Sequence, residues 1–122
     1  MAKLKKLEKQ IEYEILMFLR SIGVYAWKNP TIGVFNMQRK AYIKPKSVFH
    51  IRGASDILGI IDGRFIAIEV KSSSGVLSPE QKTFIEKINE RKGLAFCARS
   101  IEEAKVILTK EFPDLIKSHS VN

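Results

Sequence analysis

Gly53-Ala-Ser-Asp56-Ile-Leu-Gly-Ile-Ile61-Asp62-Gly63-Arg64-Phe-Ile-Ala-Ile-Glu69-Val-Lys71 holds two apolar runs on either side of an Asp-Gly pair. Such a pair between hydrophobic runs is a strong short-range signal for a two-residue β-hairpin turn. Closing that turn sets Ile61 across from Arg64 and Ile60 across from Phe65, and counting outward sets Asp56 across from Glu69. Directly opposed residues carry Cβ atoms roughly 4.5–5.5 Å apart on one face of a sheet. Lys71, two residues beyond Glu69, projects from the same face. Like charges in opposition destabilise a sheet unless something compensates, and a divalent cation is the natural compensator. Ile66, Ile68 and Val70 supply one buried face, while Phe65 and Ala67 share the other with Glu69 and Lys71. The charges therefore mark the floor of a cleft at the end of a partly covered face, and the pattern reads as a metal-dependent site.

Working outward, Leu4, Leu7, Ile11, Ile15, Phe18, Leu19 and Ile22 recur at helical spacing, predicting an amphipathic helix over residues 3–22 that stops at Gly23. Glu8 falls on its apolar stripe and Glu12 at the stripe's edge, and a carboxylate on a core-facing side needs a partner. Val24–Lys28 reads as a strand, and residues 30–52 as extended segments with a long loop. Ser78-Pro79-Glu80-Gln81 opens a helix with serine as N-cap, proline at the first helical position and glutamine three residues after the cap. Phe84, Ile85 and Ile88 form its inner face, and Leu94–Ala98 is a short buried strand. Ser100 with Glu103 makes a second capping box for a helix to about Lys110, and residues 113–122 read as a frayed tail. The element order predicts one α/β domain over residues 1–122, a mixed central sheet with helices on its faces.

Composition narrows the function. Lys and Arg number 21 against 13 acids, a formal charge of +8, which favours a polyanionic partner, most often nucleic acid. The charge is unevenly placed: between Glu14 and Asp56 there is no acidic residue, while Arg20, Lys28, Arg39, Lys40, Lys44, Lys46 and Arg52 fall in that interval. Phe35, Tyr42 and Phe49 lie among them, a mixture suited to phosphate contacts and base stacking as well as to packing under a loop. The single cysteine, Cys97, excludes an intrachain disulfide and reads as a packing thiol in a reducing compartment. No apolar run is long enough for a membrane span, and Glu8, Glu12 and Glu14 interrupt the one stretch that resembles a signal peptide. The expectation is a soluble, cytoplasmic protein with no membrane partner.

Hard carboxylate oxygens suit Mg²⁺ or Mn²⁺, with water and substrate phosphate completing the shell. Metal, carboxylates and ammonium together are the parts that phosphodiester hydrolysis uses.

Gly53-x-x-Asp56 followed by Ile-Glu69-Val-Lys71 resembles the signature of the PD-(D/E)XK nuclease superfamily. The wider pattern is similar to its VRR-NUC (virus-type replication-repair nuclease) branch. It takes in Glu8-x-x-Ile11-x-x-x-Ile15-x-x-x-Leu19-x-x-x-Gly23, Trp27-Lys28-Asn29, and Leu77-Ser-Pro-Glu-Gln81 before an apolar helix and Gly93. The resemblance implies a restriction-endonuclease-like core and a Mg²⁺- or Mn²⁺-dependent endodeoxyribonuclease. It further implies that Asp56, Glu69 and the carbonyl of Val70 bind metal, that Lys71 positions the attacking water, and that Glu8 assists. Gln81 matches a glutamine of this branch and is equally readable as the capping partner of Ser78. Two positions depart from the pattern. Glu12 stands where glutamine is expected, so that Glu12 could share or replace the work of Glu8, and Lys28 stands where arginine is frequent. Lys28, Asn29, Arg39, Lys40, Lys44, Lys46 and Arg52 are the candidate DNA contacts. Short members of this kind act as homodimers on branched DNA, Holliday junctions in particular. An archaeal-type Holliday junction resolvase and a non-catalytic nucleic-acid-binding module that keeps the nuclease fold are the alternatives.

Overall fold

A computed structural model describes residues 6–30, 34–36, 41–43 and 51–118 of the chain. The first helix, α1 (Glu8–Ser21), buries Ile11, Ile15 and Leu19. The stripe predicts a start near residue 3, but Leu7 lies outside the helix and exposed, and Leu4 is outside the described residues. Gly23, at φ +78°, ends α1 as expected, and the amide of Val24 donates back to the carbonyl of Leu19.

Strands β1 (Tyr25–Lys28), β4 (Ile57–Ile61), β5 (Arg64–Val70) and β6 (Leu94–Ala98) form one sheet in the order β1-β4-β5-β6. β1 and β5 run antiparallel to β4, and β6 runs parallel to β5. The sheet is thus mixed, with helices on its faces, compatible with a restriction-endonuclease-like core. Within the stretch expected to be irregular, β2 (Val34–Asn36) and β3 (Ala41–Ile43) pair antiparallel as a separate ribbon.

The hairpin closes as its turn dictates. Asp62 and Gly63 both take positive φ, 50° and 78°, the requirement of a type I′ turn, whose twist matches that of the flanking strands. Ile61 pairs with Arg64, Ile60 with Phe65 and Ile57 with Ile68, so the next position outward sets Asp56 opposite Glu69. Period-two alternation then divides the side chains. Ile57, Ile61, Ile66, Ile68 and Val70 pack with α1 and with α3 (Ile101–Glu111) in the main core. Ala67 packs on the other face with Phe84 of α2 (Pro79–Glu90) and Ala95.

Two further helix starts differ from expectation. Ser100 Oγ accepts from the amide of Glu103, but the Glu103 carboxylate turns back to the amide of Arg99 rather than that of Ser100. Residues 113–118, read as part of a frayed tail, form α4 (Pro113–Ser118). Pro113 is the first residue of that helix, where its missing N–H costs nothing. The preceding Phe112 is buried, and Leu115 packs against the main core. Among the described residues no helix is long and apolar enough to cross a membrane.

Candidate active site

The site lies at the open end of the β4–β5 hairpin, where three structural devices hold it. The first follows β1 directly: the Asn29 amide donates to the Asp56 carbonyl at 2.7 Å and its Nδ2 to the Ser55 carbonyl at 3.2 Å. Asn29, a candidate DNA contact from sequence, thus fixes the backbone that presents Asp56. The second is Asp56 itself, whose Oδ2 accepts from the amide of Val70 at 2.8 Å and ties the two strand ends together. The third is the start of α2. Ser78 Oγ accepts from the Gln81 amide at 3.1 Å and Gln81 Oε1 from the Ser78 amide at 2.8 Å, a full capping box. The same side chain donates from Nε2 to Glu69 Oε1 at 2.8 Å. One amide of Gln81 therefore caps the helix through its oxygen and holds the Glu69 carboxyl through its nitrogen.

Glu69 is the focus of the electrostatics. It is 3% exposed, and its pKa is pushed up to about 8. Burial is the largest cause; the charge of Asp56 and contact with its carboxyl add to it, Glu8 adds a little, and Lys71 opposes. Glu69 Oε2 is buried and finds no donor among the described residues. Two facing carboxyls leave that oxygen in need of either a shared proton or a cation. Among the described residues no group of three or more His, Cys, Asp or Glu is placed to hold a metal. Two carboxylates with water and phosphate are nevertheless a common Mg²⁺ arrangement, so the donor set fits such an ion.

Lys71 continues from β5, its amide donating to the carbonyl of Ala98 at 3.1 Å. Glu8 comes up beside it: Oε2 accepts from the Ser72 amide at 3.3 Å. A Cβ at Gly75 would meet Lys71 Cδ at 3.2 Å and Glu8 Oε2 at 3.3 Å, so both side chains run along this glycine. As the first residue of α1, Glu8 is exposed rather than set on a buried stripe. Glu12 instead pairs with Lys28 at 3.2 Å. The structure thus brings Glu8 to the site and turns Glu12 to a strand lysine. Arg52 is exposed beside Gly53, while Arg39, Lys40, Lys44 and Lys46, with Phe35, Tyr42 and Phe49, are not among the residues whose side chains are described.

Two residues that sequence reasoning missed complete the frame. Arg99 Nη1 donates to the carbonyls of Ser72 at 2.6 Å and Gly75 at 2.7 Å, bracing the loop after Lys71. Asn89 donates to the Ala95 carbonyl at 2.9 Å and accepts from its amide at 2.8 Å, locking α2 to β6. Neither contact leaves a local sequence signal, because each joins elements by shape rather than by spacing. Cys97, across from Glu69 in the β5–β6 pairing, is half-buried, and burial pushes its thiol pKa up, as suits a packing thiol.

Gly53 sets how closely α2 approaches. Its φ is +77°, and a Cβ there would lie 2.4 Å from the backbone carbon of Glu80 and 2.6 Å from the Gln81 nitrogen. Gly53→Ala should therefore destabilise the fold by about 2–4 kcal/mol from left-handed strain and overpacking together. Urea titration checks the loss, and an unchanged midpoint would refute this close approach.

No protein-family model matches the chain. A search of curated proteins finds Holliday junction resolvase RecU of Mycoplasmopsis pulmonis, 31% identical over 98 residues. The chain is similar to a junction resolvase. The match covers 66% of this chain and 62% of the relative, so the chain spans less than two thirds of that protein's length.

Proposed function

We propose that this chain is a Mg²⁺- or Mn²⁺-dependent endodeoxyribonuclease of the VRR-NUC kind, within the PD-(D/E)XK nucleases, that hydrolyses phosphodiesters in branched DNA such as Holliday junctions and works as a homodimer. The observation that carries the reading is the buried Glu69 carboxyl facing half-buried Asp56, with an oxygen lacking a donor among the described residues and Lys71 two residues on. The similarity to a resolvase and the +8 charge support the substrate class.

Asp56, Glu69 and the Val70 carbonyl would hold the ion, which supplies charge for phosphoryl-oxygen stabilisation and lowers the pKa of bound water. Gln81 fixes the rotamer of Glu69 through Oε1, leaving Oε2 for the ion. The ammonium of Lys71 orients the attacking water and stabilises charge developing on the phosphate. Glu8, beside Lys71, holds the Ser72 amide and keeps the lysine's loop in place. Arg52, Lys28 and the basic positions up to Lys46 follow the phosphate backbone.

Purified protein incubated with four-way junctions, flaps, linear duplex and supercoiled DNA, with Mg²⁺, Mn²⁺ or EDTA, tests the reading. Metal-dependent cleavage with a preference for junctions is the expected result; no cleavage of any substrate would leave a binding module instead. Junction affinity should also fall steeply with salt, by about 10³-fold or more between 50 and 200 mM for six or more phosphate contacts. A flat salt response would remove the basic interval as the DNA track.

A further inference from the structure

The face that carries the carboxylates continues across the sheet to its β1 edge. Asn29 pairs through its amide with Asp56, Trp27 stands across from Leu58, and Tyr25 across from Ile60. By two-residue alternation these side chains share the face of Glu69 and Ala67. The row of Trp27 is one same-face step, about 7 Å, from the row of Asp56. Toward β5 and β6 this face is covered by α2 through Phe84. Toward the β1 edge no described residue covers it: Tyr25 is 75% and Trp27 39% exposed, with Ile60 at 45%. The two rings lie against each other, centroids 5.5 Å apart and planes tilted by 54°.

We propose that Tyr25 and Trp27 form a stacking platform for an unpaired nucleobase of the strand held at Asp56 and Glu69. The position of the cut rests on the nuclease reading above; the stacking does not. Charge selects the occupant. The chain carries +8 with no acid between Glu14 and Asp56, so a second copy would bring like charge to this face while a nucleic acid brings the opposite. An aromatic platform stacks any base that offers a free π-face. In an intact duplex each face is covered by a neighbouring base pair. The platform thus recognises DNA whose bases are unpaired within one or two nucleotides of the carboxylates, which is the state of strands at branches and gaps.

Trp27 is the chain's single tryptophan, so its emission reports on the platform alone. The full chain in EDTA is titrated with a duplex, the same duplex with a short single-stranded gap, and the gapped duplex with abasic sites replacing the unpaired bases. The gapped DNA should quench Trp27 and bind about tenfold tighter than its abasic counterpart. By anisotropy of labelled DNA, Tyr25→Ala and Trp27→Ala should lose that advantage and Trp27→Phe should keep most of it. Tyr25 is largely exposed, so its replacement leaves the fold intact should Trp27→Ala unfold. Equal affinity for gapped and abasic DNA, no quenching by any DNA, or wild-type base preference in Tyr25→Ala and a folded Trp27 variant would each overturn the platform. So would a Tyr25→Ala variant that changes the sedimentation-measured oligomeric state but not DNA affinity, since the face would then be a contact between copies. Base-dependent quenching without metal-dependent cleavage upholds the platform and removes the nuclease reading. Cleavage lost in Asp56→Asn but indifferent to Trp27→Ala does the reverse.

Discussion

Glu69→Gln should make the metal-free protein more stable at pH 8 and end its cleavage of DNA. The Glu69 carboxyl has a pKa of about 8 in the folded chain against 4.5 for the free side chain, chiefly because it is buried and faces Asp56. The sign follows from linkage. Below pH 4.5 both states are protonated and nothing is lost; between pH 4.5 and 8 the folded chain keeps a proton that the unfolded chain has released, so stability falls as pH rises; above pH 8 the loss is complete. At ~1.4 kcal/mol per pKa unit the full loss is of order 4 kcal/mol. Glutamine removes the charge and keeps the oxygen that accepts from Gln81, so a gain of about 2 kcal/mol or more at pH 8 is expected, and near zero at pH 4. Thermal melts in EDTA across that range are the check, and a pH-independent difference would show that the carboxyl is not the cause. A cation at the site should offset the same loss, so Mg²⁺ or Mn²⁺ should raise the wild-type melting temperature more at pH 8 than at pH 6 and leave Glu69→Gln unmoved.

Asp56→Asn and Lys71→Ala should each lower junction cleavage by about 10²–10³-fold or more while leaving junction affinity within a few fold. Asparagine is chosen because its oxygen can still accept from the Val70 amide, the bond that ties β4 to β5. A loss in this variant therefore reports charge and not a loosened hairpin. It should also lower the Glu69 pKa, since the Asp56 charge is the second cause of its rise, and carboxyl carbon shifts read that directly. Lys71 lies at the end of β5 with its ammonium opposing the rise at Glu69, so Lys71→Ala should move the Glu69 pKa upward. Cleavage that survives either substitution would remove Asp56 or Lys71 from the chemistry, whatever else the protein does with DNA.

What was legible in the chain and what was not divide along the length scale of the interaction. The hairpin was readable because Asp62-Gly63 fixes the turn type and every following pair is forced by period two. The same local logic gave the Ser78–Gln81 cap, the burial of Ile66, Ile68 and Val70, and the strand at Leu94–Ala98. The start of α1 and the helix at residues 113–118 escape that local logic for a related reason. Periodicity does not say where the sheet stops covering a helix, and a proline that can end one helix can equally open the next.

The sequence by itself determined the opposition of Asp56 and Glu69, the lysine two residues on, and the positive charge of the segment before them. Those are properties of register and composition, and they need nothing from the rest of the fold. Only the tertiary structure decided that Glu8 and not Glu12 reaches Lys71, that one amide of Gln81 serves both helix cap and carboxyl, that Arg99 braces the loop, and that Asn29 presents Asp56. Each of those choices depends on how far apart two packed elements sit, set by the side chains between them, such as the bare glycine at 53 that lets α2 approach. Spacing along one strand or helix carries no record of that distance.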